Sequence, residues 1–374
     1  MSIWRVTLVY LLLFLFSVPN FLVSAQTRTV TSQSEIIRVP RDYPTIQSAI
    51  NNASPRDTIL VASGIYAEQL FINKTITLNG AGADTTILNG AWTQTAAQIS
   101  APNVTIKGFT IQNFKTGIII NRTQNIRIQE NKITQTLTKG AIYITSSQNI
   151  TIANNTLTNN YCAGAWMFKT NQTQFLQNTV SHNGGVGIYF ENCTNFVAKD
   201  NFIESNIGDA IACAYGYNLF VIGNTFASNG YRGIWATNSN GTAYHNNFIQ
   251  NFENARAIKS DFTWDNGYPA GGNYWSNYTG IDENSDGIGD VPFVLDEDNV
   301  DNFPLINPYI AGDVNYDGIV NIKDATLVCL YWLQTVPPAP SNVDINGDGA
   351  ININDANAIY ANWQKTRLAT YATL

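Results

Sequence analysis

Two stretches near the end of the chain carry oxygen-bearing side chains at the spacing used by calcium-binding loops. In residues 313–324 and again in residues 344–355, Asp or Asn stands at loop places 1, 3, 5, 9 and 12, and glycine at place 6. Calcium takes about six to eight oxygen ligands, and the glycine permits the sharp turn that gathers alternate residues around one ion. The repeat therefore predicts two Ca²⁺ ions. The predicted ligands are Asp313, Asn315, Asp317, Ile319 (through its carbonyl), Asn321 and Asp324, then Asp344, Asn346, Asp348, Ala350 (through its carbonyl), Asn352 and Asp355.

A third acidic segment, residues 282–290, repeats the first part of this pattern. Asp282, Asn284, Asp286 and Asp290 stand at alternating places around a glycine, but Phe293 occupies the twelfth place. The spacing predicts a third calcium site of less complete form. The alternative interpretation is an acidic, glycine-rich loop that binds no metal.

The two complete loops each lead into an apolar run with helical spacing, at residues 325–333 and 356–363. Two such loops, each followed by one helix, resemble a type I dockerin over residues 312–363. The resemblance implies a calcium-folded, EF-hand-like module, residues 311–366, that docks to a cohesin domain. Residues 367–374 are expected to form a flexible tail.

The dockerin resemblance is less specific about the partner. Dockerins that bind the well-known cohesins tend to carry Ser or Thr at places 10 and 11. Here those places hold Ile322 and Lys323 in the first repeat and Ile353 and Asn354 in the second. Calcium-dependent folding is still expected, but the identity of the partner is left open.

Upstream of these loops the sequence repeats itself roughly every 23 residues. A period of about 20–50 residues marks stacked supersecondary units, and the short alternating apolar bursts in each unit have strand spacing. We therefore predict a mainly β fold, a right-handed parallel β-helix solenoid with three strands per coil. Corner positions favour Asn and Gly, which we expect to adopt left-handed backbone conformations there. The Asn column is Asn131, Asn155, Asn178, Asn201, Asn224 and Asn247, and the Gly column is Gly140, Gly164, Gly187 and Gly233.

The predicted β-helix covers residues 36–310, divided into an N-terminal cap (36–90), regular coils (103–260) and the calcium-loop segment (261–310). An amphipathic helix at Thr45–Ala53 is expected to cover the open N-terminal end. These segments resemble NosD-like right-handed β-helix proteins, whose superfamily includes pectin methylesterases and other carbohydrate-binding or sugar-hydrolysing proteins. The resemblance implies the fold, whereas that scaffold hosts enzymes and non-enzymes alike.

Acidic side chains on the coils are the candidates for catalysis. A β-helix glycosidase needs two or three carboxylates together, and a lyase needs a Lys or Arg base beside an acid. The chain offers Asp200, Glu204, Asp209 and Arg232 as one possible outward patch. The alternative is that they are separate surface charges, so whether the protein is an enzyme is left open.

Aromatic residues are the candidates for sugar stacking. Alternation in the strands places Tyr189 and Trp235 outward. Either Trp166 or Met167, together with Tyr143, is expected to join them, since the extra residue between Asn131 and Asn155 leaves the register there open. The alternative is that these rings pack beneath a neighbouring loop or domain.

The beginning of the chain predicts export. Arg5, the apolar run Val6–Phe16 and the small residues Val23–Ala25 indicate a cleaved signal peptide, residues 1–25. The net charge of −7 argues against nucleic acid as a partner. Sequons that could carry glycans stand at Asn52, Asn73, Asn103, Asn121, Asn149, Asn154, Asn171, Asn192, Asn240 and Asn277.

Together these features predict an extracellular protein, secreted or on the cell surface of an archaeon or bacterium, that acts in polysaccharide binding or degradation. Its dockerin-like module is expected to attach it, with a cohesin-like domain or its own β-helix as the partner. The alternatives are a glycoside hydrolase or polysaccharide lyase that uses the β-helix face, and a purely structural surface protein.

Overall fold

The computed structural model describes residues 34–366. The predicted signal peptide (1–25) and tail (367–374) lie outside the described residues. As predicted, the chain winds as a right-handed parallel β-helix, and each coil contributes a strand to three long sheets of eleven, ten and nine strands, called here sheets A, B and C.

The strands of each sheet are parallel, and like residues stack on like. Sheet A consists of Ile36–Val39, Thr58–Val61, Thr77–Gly80, Thr105–Lys107, Gln124–Gln129, Gln148–Ala153, Asn171–Leu176, Thr194–Lys199, Tyr217–Ile222, Asn240–Tyr244 and Asp261–Thr263. Sheet B consists of Gly64–Tyr66, Thr86–Asn89, Thr110–Phe114, Lys132–Thr136, Thr156–Thr158, Thr179–Ser181, Phe202–Glu204, Thr225–Ala227, Asn247–Ile249 and Tyr274–Trp275. Sheet C consists of Leu70–Ile72, Thr95–Ile99, Thr116–Asn121, Ile142–Thr145, Ala165–Phe168, Ile188–Glu191, Ile211–Ala214, Arg232–Thr237 and Glu253–Ile258.

A ladder of buried asparagines joins the coils at the corner between sheets A and B. In each step the side-chain Oδ1 of one Asn accepts the main-chain N–H of the Asn one coil earlier, as Asn178 Oδ1 does from Asn155 at 2.9 Å. The ladder differs from prediction at its end, where Asn246 rather than Asn247 receives the bond from Asn224, at 3.0 Å. That coil is one residue shorter than predicted. The ladder is Asn131, Asn155, Asn178, Asn201, Asn224, Asn246 and Asn273.

The left-handed residues at this corner are not the ladder asparagines themselves. Each ladder Asn from Asn131 to Asn246 follows one residue of positive φ, such as Asn154 (φ 55°), Asp200 (φ 55°) and His245 (φ 57°). Before Asn273, the residue of positive φ is Gly271 (φ 80°), two places earlier. In the predicted glycine column only Gly140 has a positive φ (112°), and the other glycines have a different cause. A Cβ on Gly164 would lie 2.5 Å from Val180 Cγ1 and 2.7 Å from the Gly187 carbonyl oxygen, so close packing excludes a side chain there.

The N-terminal end is covered by helix α1, Ile46–Asn52, within the predicted range. Thr45 caps it, and the Glu68 carboxylate accepts the first helical N–H groups, from Ile46 at 3.0 Å and Gln47 at 2.9 Å. The apolar face, Ile46, Ala49 and Ile50, is buried against the first coil.

The C-terminal end is covered by residues 264–305, which contain the antiparallel pair Phe293–Val294 and Val300–Asp301. Trp275 stacks between two rings there, with centroids 4.3 Å from Phe248 and 4.7 Å from Phe293. The buried Asp301 ends the asparagine ladder, since its Oδ2 accepts the Asn273 N–H at 2.8 Å and Trp275 Nε1–H at 2.8 Å.

The last module contains helices α2, Ile322–Leu330, and α3, Ile353–Ala361, with a 3₁₀ turn at Ser341–Val343 between them. Both helices begin three residues earlier than predicted, because Asn321 and Asn352 cap them and the place-12 Asp completes each capping box. A small core of its own, including Val320, Val328 and Ile351, holds the module together.

Within residues 34–366, no helix is long and apolar enough to cross a membrane.

Candidate calcium loops and the outer face of sheet C

The two complete loops share one hydrogen-bond pattern, which holds the predicted ligands in place. The place-6 glycine donates its N–H to the place-1 carboxylate at 2.8 Å in both, from Gly318 to Asp313 and from Gly349 to Asp344. The place-5 N–H donates to the place-3 Asn at 3.0 Å and 2.9 Å. The sequence thus folds each stretch into the turn that alternating ligands require.

The place-12 residues, Asp324 and Asp355, connect each loop to its helix. Asp324 accepts the Val314 N–H at 2.9 Å and the Asn321 N–H at 2.8 Å. Asp355 repeats both bonds in the second loop, at 2.8 Å each. A carboxylate that spans the loop in this way brings its two ends to the same point.

The first loop fits a cation because one of its oxygens is buried and unpaired. Asp313 is 3% exposed, and its Oδ1 has no hydrogen-bond partner in the described residues. Burial, helped by the nearby carboxylates of Asp324 and Asp317, raises the pKa of Asp313 to about 6 in spite of the hydrogen bond from Gly318. Such a group favours a bound divalent ion, whose charge offsets both effects.

The carboxylates are not gathered into a closed metal cage. Among residues 34–366, no group of three His, Cys, Asp or Glu side chains has a metal-holding arrangement. The loops rely instead on Asn amides and carbonyls, and Lys323 Nζ lies 2.9 Å from Asp317 Oδ2. A calcium ion at this place must displace that exposed ion pair.

The incomplete loop, residues 282–290, has the same turn. The Gly287 N–H donates to Asp282 at 2.9 Å, and the Asp286 N–H donates to Asn284 at 3.0 Å. Asp290 takes part of the role of the missing twelfth-place acid, because it accepts the place-2 N–H of Glu283 at 2.7 Å. The four predicted ligands therefore follow one turn, closed by Asp290.

Three of the aromatic residues form a column on the outer face of sheet C, together with Tyr143. Strand register places Tyr143, Trp166 and Tyr189 beside one another on successive coils, and Trp235 follows after Ala212. The Trp166 and Tyr189 ring centroids are 4.6 Å apart, and all four rings are half-buried. We call these four residues the aromatic column.

A groove of about 780 Å³ runs past the ends of the same strands, at the corner between sheets C and A. Its lining includes the cations Arg122 and Lys169 and the amides of Gln124, Gln148 and Asn171, with no acidic residue. This lining stands out in a chain of net charge −7. Sequence reasoning missed the groove, since its residues lie in separate repeats.

The four candidate catalytic residues do not form one patch. Asp200 lies at the corner between sheets A and B, Glu204 ends a sheet B strand, and Asp209 lies before sheet C. Arg232 does approach Asp209, at 3.4 Å, and its Nε donates to Glu253 at 2.7 Å. The predicted patch fails because a three-sided coil puts residues four or five apart on different sides.

Comparison with known families finds a match for each of two parts of the chain. Residues 89–252 match the family model described as right handed beta helix region, and residues 311–361 match that of the Dockerin type I domain. The chain joins a β-helix to a type I dockerin. Dockerin type I domains in general bind calcium, and they typically bind cohesin partners.

One curated relative and several solved structures are similar to the chain. A cell surface glycoprotein from Methanothermus fervidus is 28% identical over 83% of this chain, which spans 62% of that protein's length. The A-module of a mannuronan C-5 epimerase from Azotobacter vinelandii has a TM-score of 0.45 at 15% identity, covering 57% of this chain and 74% of the module. A catalytic unit of an α-1,3-glucanase from Streptomyces thermodiastaticus has a TM-score of 0.47 at 16% identity, covering 57% of this chain and 51% of the unit.

The dockerin rests against the last coils of the β-helix. Tyr309, just before it, stacks on His245 with ring centroids 4.2 Å apart, and its main chain exchanges two bonds with Asn247, at 2.7 and 3.1 Å. Lys199 Nζ donates to the Asn346 carbonyl at 3.4 Å. Asn247, taken as a ladder residue from its sequence position, thus anchors the dockerin linker instead.

Burial shifts the pKa values of the ionisable groups that lie under the dockerin. Burial lowers the pKa of His245 to about 4, so its neutral ring donates from Nε2 to the Ala270 carbonyl. Burial also raises the pKa of Asp200, which lies close to Tyr309. Gly223 leaves room for the Asp200 carboxylate, since a Cβ there would lie 2.5 Å from Asp200 Oδ1, whereas the Tyr309 ring would be at an ordinary contact distance of 3.8 Å. Asp200 is therefore part of an internal interface.

Proposed function

We propose that the protein acts at the cell surface or outside the cell, where it binds polysaccharide along the outer face of sheet C and is attached through its dockerin. The observation that carries this proposal is the aromatic column. Tyr143, Trp166 and Tyr189 stand on successive coils, about 4.8 Å apart, and offer a sugar chain a stacking surface. Trp235 adds a fourth ring beyond Ala212. Full burial of these rings would favour the alternative of a purely structural role, and the rings are only half-buried.

The groove beside the aromatic column also supports the proposal that polysaccharide binds on this face. Its amides offer hydrogen bonds to hydroxyl groups, and Arg122 and Lys169 offer contacts to carboxylate or sulfate groups. Exposure of rings next to polar groups is the usual composition of a ligand site. A glycan that followed the solenoid axis would contact both.

Affinity electrophoresis of the chain in gels that contain a neutral or an acidic polysaccharide tests this proposal. Trp166→Ala is expected to weaken retardation about tenfold or more, since one stacked ring contributes about 1–2 kcal/mol. Tyr268→Ala is the matched control, because Tyr268 is exposed in the C-terminal segment 264–305 and lines neither the column nor the groove. Equal losses in both variants, or none in either, would reject the column as the site. Release of sugar products during the assay would favour the hydrolase or lyase alternative.

Calcium binding is proposed at three places. Each complete loop supplies the ligands predicted for it, and Asp282, Asn284, Asp286 and Asp290 supply a third site. The unpaired Asp313 oxygen supports the first site, and the shared turn geometry supports the others. Equilibrium dialysis should count three ions per chain, and Asp282→Asn should lower that count by one. A count of two in the unaltered chain would reject the third site.

Attachment is proposed through the outward sides of α2 and α3 to a cohesin-like domain. Large apolar side chains are exposed there, with Ile322 and Leu330 on α2 and Ile353 and Tyr360 on α3. Ile322 and Ile353 occupy the same position of the repeat, and exposed apolar residues are suited to a protein partner. Capture by a cohesin domain in calcium, lost in the double variant Leu330→Asp and Tyr360→Asp, would support this proposal; capture unaffected by the double variant would reject it.

A further inference from the structure

The residue at place 4 of the first calcium loop adopts a backbone conformation that is unfavourable for its side chain. Tyr316 has a left-handed backbone (φ 55°), a conformation that costs a bulky residue roughly 1 kcal/mol. The second loop has Gly347 at the same place (φ 75°), with open space where a side chain would be. The loop fold therefore does not need the tyrosine, and its reason must lie in what its side chain contacts.

The Tyr316 side chain points out of the dockerin and into the end of the β-helix. The residue is 7% exposed and forms a small core with Ile288 and Leu305. Its hydroxyl donates to the Ala270 carbonyl at 2.6 Å. A Cβ on Gly287 would lie 2.5 Å from the Cβ of Tyr316, so this close packing requires glycine at position 287.

These contacts belong to the segment that closes the solenoid. The Ala270 carbonyl also accepts the bond from His245, which directly precedes ladder residue Asn246. Leu305 donates its N–H to the Asn273 carbonyl at 2.9 Å, and Asn273 is the last asparagine of the ladder. Tyr316 thus contacts Leu305 and Ala270, which are themselves bonded to Asn273 and His245 at the final rung of the ladder.

We infer that the first dockerin loop is a calcium-dependent lock on the C-terminal end of the β-helix. Asn315 and Asp317, the residues on either side of Tyr316, are ligands in the proposed first calcium site, so an ion that fixes them fixes the tyrosine. The inference rests on that proposed site. It assigns the first loop to the chain's own β-helix, whereas the second loop, with glycine at place 4, inserts no ring there.

Hydrogen exchange on the full chain tests the lock. The amides of Gly272, Asn273 and Leu305 report on the closing segment, because they bond the Phe303 carbonyl, the Asp301 carboxylate and the Asn273 carbonyl respectively. Removal of calcium with a chelator is expected to speed their exchange roughly fivefold to tenfold, the effect of losing one buried hydrogen bond and its ring contact. Amides of the N-terminal strand Thr58–Val61 should not change.

Tyr316→Gly is the decisive variant, because it copies the second loop and relieves the left-handed backbone. It should retain calcium binding to the dockerin, yet exchange at Gly272 and Asn273 should be fast with or without calcium. Tyr316→Phe keeps the ring and loses the bond to Ala270, so it should fall between the two. Asp348→Asn, in the second loop, is the matched control and should leave calcium protection of these amides intact.

Two outcomes would overturn the inference. One is calcium binding without any change at Gly272, Asn273 and Leu305; the other is calcium-dependent protection that persists in Tyr316→Gly. A chain that binds no calcium in the same titration would refute the proposed calcium sites themselves, which separates that failure from failure of the lock. Glycan binding is expected to be equal in Tyr316→Gly and the unaltered chain.

Discussion

The two ends of the solenoid are closed by different means. At the N-terminal end, one short helix covers the core with Ile46, Ala49 and Ile50, and its partner Glu68 lies about twenty residues away in sequence. At the C-terminal end, rings, a buried carboxylate and a dockerin residue come from positions as distant as Phe248 and Tyr316. The first closure is local and carries no calcium loop, whereas the second is assembled from remote parts that include two of them.

This difference shows how a solenoid can be coupled to a binding module. A coil that ends without a neighbour exposes core and unpaired strand edges, so something must cover it. The N-terminal helix does this independently of the rest of the molecule. In the C-terminal closure, Tyr316 of the dockerin packs against Ile288 and Leu305 of the closing segment. A conformational change in the dockerin is therefore transmitted to the last coil.

Removal of calcium should produce the largest difference in stability between the two ends. With free calcium about a thousandfold above its dissociation constant, binding adds about 4 kcal/mol to the stability of a site, and that amount is lost on chelation. We expect the far-ultraviolet circular dichroism signal of α2 and α3 to disappear first, at a lower temperature than the β signal. Simultaneous loss of both signals, with equal exposure of both ends, would contradict the comparison.

Asp301→Ala should lower the free energy of unfolding of the C-terminal end by about 3 kcal/mol, because it removes a buried hydrogen-bonded carboxylate. It leaves the Asn273 N–H, the Trp275 indole N–H and the Phe303 N–H without their acceptor. Urea unfolding followed by tryptophan fluorescence measures the loss, since Trp264 and Trp275 lie in this end. A change under 1 kcal/mol would show that the ladder does not need its final rung.

The same residue predicts a pH dependence. Burial raises the pKa of Asp301 to about 7, in spite of the bonds donated by Asn273, Trp275 and Phe303. The folded protein then keeps a proton that the unfolded chain releases near its ordinary pKa of about 4. Its contribution to stability is complete below pH 4 and is lost as the pH rises to 7. Asp301→Asn should remove this slope; an unchanged slope would assign it to other groups.

Ile50→Ala should destabilise the N-terminal end by about 2–4 kcal/mol, because it opens a cavity in a fully buried site. The expected loss is independent of calcium. Hydrogen exchange at Thr58–Val61 should increase, while Gly272 and Asn273 keep their calcium-dependent protection. Exchange that rose equally at both ends would mean that the solenoid opens as one unit and that the distinction between the ends is not real.

The sequence predicts most of the architecture because each coil meets nearly the same surroundings. Strand spacing, the 23-residue period and the turn of each predicted calcium loop depend on local patterns, and all reappear in the structure. The ladder was displaced by one residue at Asn247, because that choice depends on Tyr309, over sixty residues later. The catalytic patch failed for the opposite reason: Asp200 and Asp209 are near in sequence, but the coil turns between them. Tyr316 did leave a signal, as the one bulky residue opposite a glycine in two otherwise matched loops.

The smallest expected effect sharpens the comparison, since both ends use one carboxylate as a main-chain acceptor. Glu68 accepts two N–H groups at the start of α1 but is only half-buried, whereas Asp301 is buried. Glu68→Gln keeps an acceptor and removes the charge that favours a helix N-terminus, so it should cost about 0.5–1 kcal/mol and less in high salt. Urea unfolding at low and high salt, with hydrogen exchange at Thr58–Val61, measures this. A loss as large as that of Asp301→Ala would mean that exposure to solvent does not weaken this contact, and that the two ends differ in sequence distance alone.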